Sequence, residues 1–177
     1  MASREDLTAE RNQRFMELLK PLYSDCQRWA YSLTQNPVDA DELLAQGVMV
    51  GLENIHQLKK DGAFKTWMFK IIANVHRQMI RKAKRHPEFM EHDKLDWNAP
   101  RDDDWDKRSD LVDIVQRALG QLSPTQRQAL VLFESQGLSI REISTVLGKQ
   151  ETAVRVMLHR AKKRMAEILR EEGIGPR

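Results

Sequence analysis

The sequence predicts an all-α protein made of two small helical units. Its 177 residues include only eight glycines and six prolines, which disfavours turn-rich β structure. Apolar residues recur at intervals of three and four along most of the chain, the spacing that gives an α-helix one apolar face. No two segments have the alternating pattern of paired strands, so we expect helices alone.

The first unit should open with a helix whose apolar residues begin near Thr8. Pro21 is expected to bend or break this run, because proline lacks a backbone donor and clashes with the preceding turn. A second helical run then reaches Leu33.

The third helix of the first unit is expected to be capped by Asp39. Glu42 follows three residues later, which is the spacing of a capping box. The dipeptide Asp-Gly at 61–62 indicates a turn. A basic fourth helix should then run from about Phe64 to Arg85.

The second unit also shows four helical patterns. Ser123 is a favourable N-cap and Pro124 a favourable first helical residue, so a helix should begin there. The expected helices cover residues 110–119, 124–136, 139–147 and 151–171.

The stretch between the units lacks helical periodicity and is predicted to be a linker. It contains two prolines and many acidic residues. The predicted organisation is a first domain at 1–86, an acidic linker at 87–109 and a second domain at 110–177. Trp97 and Trp105 indicate that the linker has something to pack against.

The net charge is only +3, but the charges are unevenly distributed. Residues 70–85 hold six basic residues and no acidic one, and residues 149–164 hold six basic residues and one acidic one. Residues 88–106 hold eight acidic and two basic residues. Two basic segments therefore flank an acidic one, a distribution that matters more for partners than the net charge does.

Cysteine usage and the N-terminus indicate a cytoplasmic protein. Cys26 is the one cysteine, so no disulfide within the chain is possible, and its apolar surroundings favour a buried side chain over a reactive thiol. The first residues are charged throughout, and no run of eighteen apolar residues occurs. We expect no export signal and no membrane insertion.

Catalysis, metal ions and cofactors are not expected. The five histidines form no HExxH pair, a single cysteine cannot build a structural zinc site, and no glycine-rich phosphate loop is present. The acidic run at 102–106 is typical of solvated carboxylates rather than of a catalytic pair.

The last two expected helices predict a helix-turn-helix, with Gly148 in the turn. In this motif the second helix enters the major groove of duplex DNA. A solvated charged helix in an ordinary bundle is the alternative. At 100° per residue, the apolar face holds Val154, Met157, Leu158, Ala161 and Met165, and the outer face holds Thr152, Arg155, Val156, His159, Arg160 and Lys163.

The earlier basic helix combines outward cations with aromatic residues. This combination suits unpaired nucleic acid, because cations follow the backbone and rings stack on bases. Phe64 and Phe69 are expected in the core, whereas Trp67 lies nearer the outer face and is the better stacking candidate. The inner face holds Met68, Ile71, Ile72, Val75 and Met79, and the outer face holds Lys70, Asn74, Arg77, Arg81 and Lys84.

Together these features resemble the extracytoplasmic-function group of bacterial sigma factors. The resemblance rests on DADELLAQGVMVGLENIHQL, AFKTWMFKIIANVHRQMIRKAKR and LGQLSPTQRQALVLFESQGLSIREISTVLGKQETAVRVMLHRAKKRM, in this order around the acidic segment. It implies that the first unit binds the clamp of RNA polymerase and melts and reads the minus-ten element. It also implies that the second unit reads the minus-thirty-five element as duplex.

Carried over by position, the resemblance implies three sets of site residues. The polymerase-binding set is Asp39, Asp41, Glu42 and Gln46, although capping and the helix dipole explain Asp39 and Glu42 equally well. The minus-ten set is Trp67, Lys70, Asn74, Arg77, Gln78 and Arg81. The minus-thirty-five set is Thr152, Arg155, His159, Arg160 and Lys163.

The sequence departs from the family pattern at two places. The family commonly has glutamate where Gly47 stands, so one polymerase contact is expected to be weaker. It commonly has serine and arginine where Val156 and Met157 stand, which puts the usual base preference in doubt.

The implied partners are core RNA polymerase, promoter DNA and, as is usual in this family, an anti-sigma factor. A conventional helix-turn-helix repressor or activator is an alternative, but it leaves the aromatic, basic run at 64–85 unexplained. A sigma-like mimic that titrates an inhibitory partner is another, but it would not need outward arginines on both basic helices.

Overall fold

The computed structural model describes residues 4–85 and 110–174, and it confirms the all-α prediction. Every regular element within these two ranges is helical. The predicted linker at 87–109, with Trp97 and Trp105, lies outside the described residues. The α-helices of the two ranges are α1 Arg4–Leu19, α2 Tyr23–Thr34, α3 Pro37–Asn54, α4 Phe64–Arg85, α5 Asp110–Gly120, α6 Pro124–Leu130, α7 Ile140–Leu147 and α8 Glu151–Glu171.

Short turns connect the helices of the first unit. Pro21 lies in a 3₁₀ turn, Lys20–Leu22, which separates α1 from α2 as expected for proline. Two further 3₁₀ turns, Ile55–Gln57 and Asp61–Ala63, lead from α3 into α4. The turn expected at 61–62 is therefore present, and α4 has the bounds that the sequence predicts.

The prediction that Asp39 caps α3 is wrong. The N-cap is Asn36, whose side-chain oxygen accepts the backbone N–H groups of Val38 at 2.9 Å and Asp39 at 3.1 Å. Pro37 occupies the first turn, where its missing N–H leaves no unsatisfied donor. Asp39 instead lies within the first turn, where a carboxylate is favourable beside the positive end of the helix dipole.

Side-chain caps fix the starts of α6 and α7. Ser123 caps α6 in a reciprocal pair with Gln126, which confirms the expected boundary. Ser139 caps α7 in the same way with Glu142, whose carboxylate accepts the Ser139 N–H at 2.8 Å. Beyond α6 the chain continues as a π-helical turn, Val131–Ser135, so the helix expected there changes its winding partway.

Helices α1 to α4 pack around large buried side chains. Phe15, Trp29, Leu43 and Phe69 are each 0% exposed. The indole N–H of Trp29 donates to the backbone oxygen of Phe69 at 3.1 Å, so the ring is buried with its polar atom satisfied. This arrangement fixes α4 against α2.

The two units that the sequence predicts are packed against each other. One continuous set of buried apolar side chains includes Ile72 and Ala73 of α4 as well as Ile143 and Val146 of α7. A smaller set holds α5, α6 and α8 together around Ala161 and other residues. The basic helix α4 of the first unit therefore lies directly beside the helix-turn-helix of the second unit.

Candidate nucleic-acid interface

The outer side of α4 is the first candidate surface, and we call it the α4 face. It comprises Lys70, Asn74, Arg77, Gln78 and Arg81. Lys70, Gln78 and Arg81 are exposed, while Asn74 and Arg77 are half-buried. Three further basic residues lie in the last turn of α4. The opposite side of the helix is buried as the sequence predicts, with Met68 and Ile72 both 0% exposed.

The aromatic residues at the start of α4 are mostly part of the core. Phe64 and Phe69 are 1% and 0% exposed, which confirms their expected positions. Trp67 is half-buried, and its ring centroid lies 5.8 Å from that of Phe64 at an interplanar angle of 39°. Trp67 therefore packs against the core with part of its surface and presents only the remainder to solvent.

The middle of the α4 face is covered by the end of α7. Arg77 donates through Nη1 to the backbone oxygen of Leu147 at 3.1 Å and through Nη2 to the side-chain oxygen of Asn74. The last carbonyl groups of a helix have no partner within it and carry partial negative charge, so a guanidinium is a suitable donor. Two of the residues proposed from the sequence to contact DNA are thus engaged within the protein.

Two more side chains, both near the start of α4, form hydrogen bonds with the second unit. Lys65 Nζ donates to the backbone oxygen of Gln136 at 3.0 Å and lies 3.4 Å from a carboxylate oxygen of Asp25. Thr66 Oγ1 donates to a carboxylate oxygen of Glu142 at 3.3 Å. Thr66 and Arg77 define the α4–α7 contact, and Lys65 joins the start of α4 to the segment that precedes α7.

Glu142 belongs to both the α7 cap and the α4–α7 contact. Its pKa lies below the usual value because the Ser139 backbone N–H and the Ser139 hydroxyl hydrogen-bond it, and these effects outweigh partial burial. Thr66 and the charge of Lys65 lower the pKa further. The carboxylate is therefore ionised near neutral pH and remains an acceptor for the first unit.

A buried arginine joins the two units at a different place. Arg127 of α6 is only 7% exposed, and its Nε donates to the backbone oxygen of Ser32 in α2 at 3.0 Å. Nη1 of the same guanidinium lies 3.5 Å from the backbone oxygen of Leu122. Sequence reasoning missed this residue, because an arginine on an amphipathic helix gives no signal that it is buried.

The outer side of α8 is the second candidate surface, and we call it the α8 face. All of its members are exposed, as the sequence predicts, whereas Val154 and Leu158 behind them are 0% and 5% exposed. Arg155 forms an ion pair with Glu151 at 3.2 Å, but both side chains are largely exposed, so the pair is weak and readily exchanged. The α8 face comprises Thr152, Arg155, Val156, His159, Arg160 and Lys163.

The turn before α8 has the geometry of a helix-turn-helix. Gly148 ends α7 with φ 63°, a left-handed conformation that residues with a side chain adopt at a cost. The N–H of Lys149 donates to the backbone oxygen of Ser144 at 3.1 Å, and the Ser144 hydroxyl donates to the backbone oxygen of Lys149. The turn thus holds α8 firmly against α7 while its outer face remains in solvent.

Not all cations of α8 belong to the α8 face. Lys162 Nζ lies 2.8 Å from a carboxylate oxygen of Glu134 and 4.4 Å from the ring centroid of Phe133. Arg164 pairs with Glu167 at 3.3 Å. These two cations flank the α8 face, next to Arg155 and Arg160 on the helix wheel, and pair with acidic residues within the second unit. The cations of α8 that are more available to a partner are therefore those of the α8 face itself.

The predicted polymerase-binding residues lie on α3. Asp41, Glu42 and Gln46 are exposed, with Gln46 donating to Glu42 at 3.0 Å, while Asp39 is half-buried. Val38 and Met49 on the same helix are 64% and 63% exposed. Sequence reasoning did not single out these two apolar residues. For Met49 a signal was present, because the apolar run GVMVG is wider than the stripe that one buried face requires.

Gly47 does not lie on the exposed side of α3. It is buried, and a Cβ atom placed on it would lie 3.0 Å from Cγ1 of Ile72 in α4. The expectation that glycine weakens a polymerase contact is therefore wrong for this chain, because position 47 faces the core. Glycine here permits the close approach of α3 and α4.

The described ranges contain neither a grouped set of metal ligands nor a membrane-spanning helix. Among residues 4–85 and 110–174, no three histidine, cysteine or acidic side chains are grouped so that they could hold a metal ion. Within the described part of the chain, no helix has both the length and the apolar character needed to cross a bilayer.

Comparison with known proteins places both units in one family. The sigma-70 region 2 family matches residues 15–86, and the sigma-70 region 4 family matches residues 113–165. The chain is 28% identical over 160 residues to the ECF RNA polymerase sigma factor SigM of Mycobacterium tuberculosis, covering 88% of this chain and 76% of that protein. It is 30% identical over 158 residues to the ECF sigma factor SigE of Mycolicibacterium smegmatis, covering 86% and 60%.

The fold also has a counterpart among solved structures. It is similar to the sigma factor RpoE in a co-crystal structure with the anti-sigma factor NepR from Bartonella quintana, with a TM-score of 0.75. Sequence identity is 23%, and the match covers 88% of this chain and 96% of that one. This likeness concerns the arrangement of helices.

Proposed function

The chain belongs to the extracytoplasmic-function group of RNA polymerase sigma factors, and from that premise we propose which surface carries each part of its function. The exposed acidic and apolar side of α3 binds core polymerase. The α8 face reads the minus-thirty-five element as duplex DNA. The α4 face captures the minus-ten element once its strands separate, and the protein performs no catalysis of its own.

The observation that carries this proposal is the pairing of two different basic surfaces on one chain. The α8 face follows a capped helix and a glycine turn, so its first two turns can enter a major groove. The α4 face is built on a helix that begins with aromatic residues, one of them half-exposed. A repressor or activator would need the first surface but would have no use for the second.

The α4–α7 contact adds a condition to this mechanism. Arg77 bonds Asn74 and the end of α7, so its guanidinium is not available to a base while the units remain packed together. We infer that the two units separate when polymerase binds, and that the free protein therefore reads the minus-ten element poorly. The apparent affinity for a single strand is proportional to the fraction of molecules in which this surface is uncovered.

Run-off transcription tests the proposal. Core polymerase should initiate at defined sites on a genomic fragment library when this protein is added and should not do so alone. Asp41→Lys changes the α3 surface and leaves both basic faces intact, so it should reduce transcription. Glu10→Lys makes the same charge change at an exposed position of α1 and is the matched control.

A binding titration separates the sigma function from the alternatives. Promoter duplex should bind tightly to the protein with core polymerase and weakly to the protein alone, because two small surfaces must be held at the correct separation to act together. Tight sequence-specific binding by the free protein would instead indicate a conventional regulator. Binding of an inhibitory protein without any DNA binding would indicate a mimic.

Two further points complete the proposal. We place the protein in the cytoplasm, where core polymerase acts. An anti-sigma factor is a further proposed partner, since the structurally similar RpoE was crystallised with one. Co-purification of a second protein that blocks run-off transcription would establish it.

A further inference from the structure

Val156 is an apolar residue in the middle of a polar, basic surface. Its side chain is 48% exposed. At 100° per residue it falls inside the arc of the α8 face that Arg155 and Arg160 bound, close to Thr152 and Lys163. A side chain that served only to hold α8 in place would lie with Val154 and Leu158 on the buried side, and Val156 does not.

The chemistry of the major groove restricts what such a residue can contact. The edges of the four bases present hydrogen-bond donors, acceptors and one apolar group, the 5-methyl of thymine. Valine can neither donate nor accept a hydrogen bond through its side chain. It also strongly prefers one rotamer in a helix, so its methyl groups are held in position with little loss of entropy on binding.

We propose that Val156 is a specificity-determining residue that packs against the 5-methyl group of a thymine in the minus-thirty-five element. This inference rests on the proposed function, in which the α8 face reads that element. Arg155, one residue earlier and in the first two turns, is placed to hydrogen-bond a neighbouring base edge. Val156 would then supply selectivity for thymine at one position of the element.

The test removes the methyl group from the DNA and the methyl groups from the protein, separately and together. The preferred minus-thirty-five sequence is first selected from a randomised library with the reconstituted holoenzyme. Each thymine in it is then replaced singly by deoxyuridine, which lacks only the 5-methyl group. Affinity is measured for wild-type holoenzyme and for Val156→Ala, whose folding is checked by thermal unfolding.

One thymine should show a coupling with Val156. Its replacement by deoxyuridine should weaken wild-type binding about three- to fivefold, which is the effect of exposing one methyl-sized apolar group. The same replacement should not change the affinity of Val156→Ala. Replacement of any other thymine should change the affinity of both proteins by the same factor. His159→Ala, on the same face, is the matched control and should retain the methyl effect.

Two results would overturn the inference. One is that no deoxyuridine replacement weakens wild-type binding, and the other is that any loss is equally large in Val156→Ala. Both are distinct from failure of the proposed function, in which the holoenzyme would select no minus-thirty-five sequence at all. An independent check places a C·G pair at the coupled position. Wild-type holoenzyme should bind the 5-methylcytosine form about three- to fivefold more tightly than the cytosine form, whereas Val156→Ala should not distinguish them.

Discussion

Ala73→Leu should separate the two units without removing a residue that is proposed to contact DNA. Ala73 is 5% exposed and lies seven residues after Thr66 and four before Arg77, on the side of α4 that bonds α7. Leucine at this position overfills the contact between the helices. Substitution of Arg77 itself would be ambiguous, because that residue is proposed to act in both the closed and the DNA-bound state.

The expected effect follows from the cost of overpacking. Inserting methylene groups into a well-packed contact costs about 1–3 kcal/mol. If separation of the units relieves this cost, the ratio of open to closed molecules rises about 5- to 150-fold. As long as closed molecules predominate, the apparent affinity of the free protein for a single-stranded minus-ten oligonucleotide should rise by the same factor.

Fluorescence anisotropy with a labelled oligonucleotide measures this affinity, and small-angle X-ray scattering measures the accompanying increase in size. Ala45→Leu adds the same side chain at an exposed position of α3 and should change neither quantity. An Ala73→Leu protein that is less stable but binds the strand no better and scatters as wild type would refute the reasoning. The contact would then be a feature of packing that does not restrict access to the α4 face.

Three other predictions address single residues. Arg155→Ala should cost the holoenzyme about 1–3 kcal/mol of binding free energy on the preferred minus-thirty-five sequence and much less on a scrambled one. Lys163→Ala should weaken binding to both sequences and reduce the salt dependence of affinity by about one unit of slope. Affinities measured for both sequences across a salt series distinguish the two variants. Burial, with a smaller contribution from Asp25, raises the pKa of Cys26 to about 12. Because the thiolate is the nucleophile, iodoacetamide at pH 8 should alkylate the native protein at least about a thousandfold more slowly than the unfolded one, which mass spectrometry measures. Gly51→Ala would place Cβ 2.9 Å from a ring atom of the buried Phe15. Thermal unfolding should therefore show a stability lower by on the order of 1 kcal/mol, despite the better helix propensity of alanine. In the control Gly62→Ala the added Cβ meets no neighbour, so stability should not fall.

The helices and the two basic faces could be predicted because they depend on local periodicity. The 3.6-residue repeat that buries Val154 and Leu158 also fixes which side of α8 carries Arg155, so the α8 face follows from the sequence alone. The start of α3 was misplaced because two caps compete there. Asn36, followed by proline, is the N-cap in place of Asp39, because its side chain accepts hydrogen bonds from two backbone N–H groups.

The packing of the units could not be predicted, because polar residues mediate much of it. Asn74 and Arg77 have the spacing of a solvated helix face, and nothing local distinguishes an arginine that meets a phosphate from one that meets the end of another helix. Arg127 presents the same difficulty, since its acceptor in α2 lies 95 residues away in the chain. Such contacts depend on how two complete units fit together.

The difference between the two basic faces indicates an order of events at a promoter. In the closed arrangement every residue of the α8 face is exposed, so the two units need not separate to uncover it. The α4 face is partly covered, and uncovering it requires loss of the bonds from Arg77 to α7 and from Thr66 to Glu142. Each bond contributes about 1 kcal/mol, or somewhat more for the charged donor, and the shared apolar core and the Arg127–Ser32 bond add to the cost of separation. Separation therefore requires that polymerase bind the open arrangement more tightly than the closed one. Under the proposed function, recognition of the minus-thirty-five duplex is therefore open to the closed protein, whereas capture of the minus-ten strand depends on polymerase.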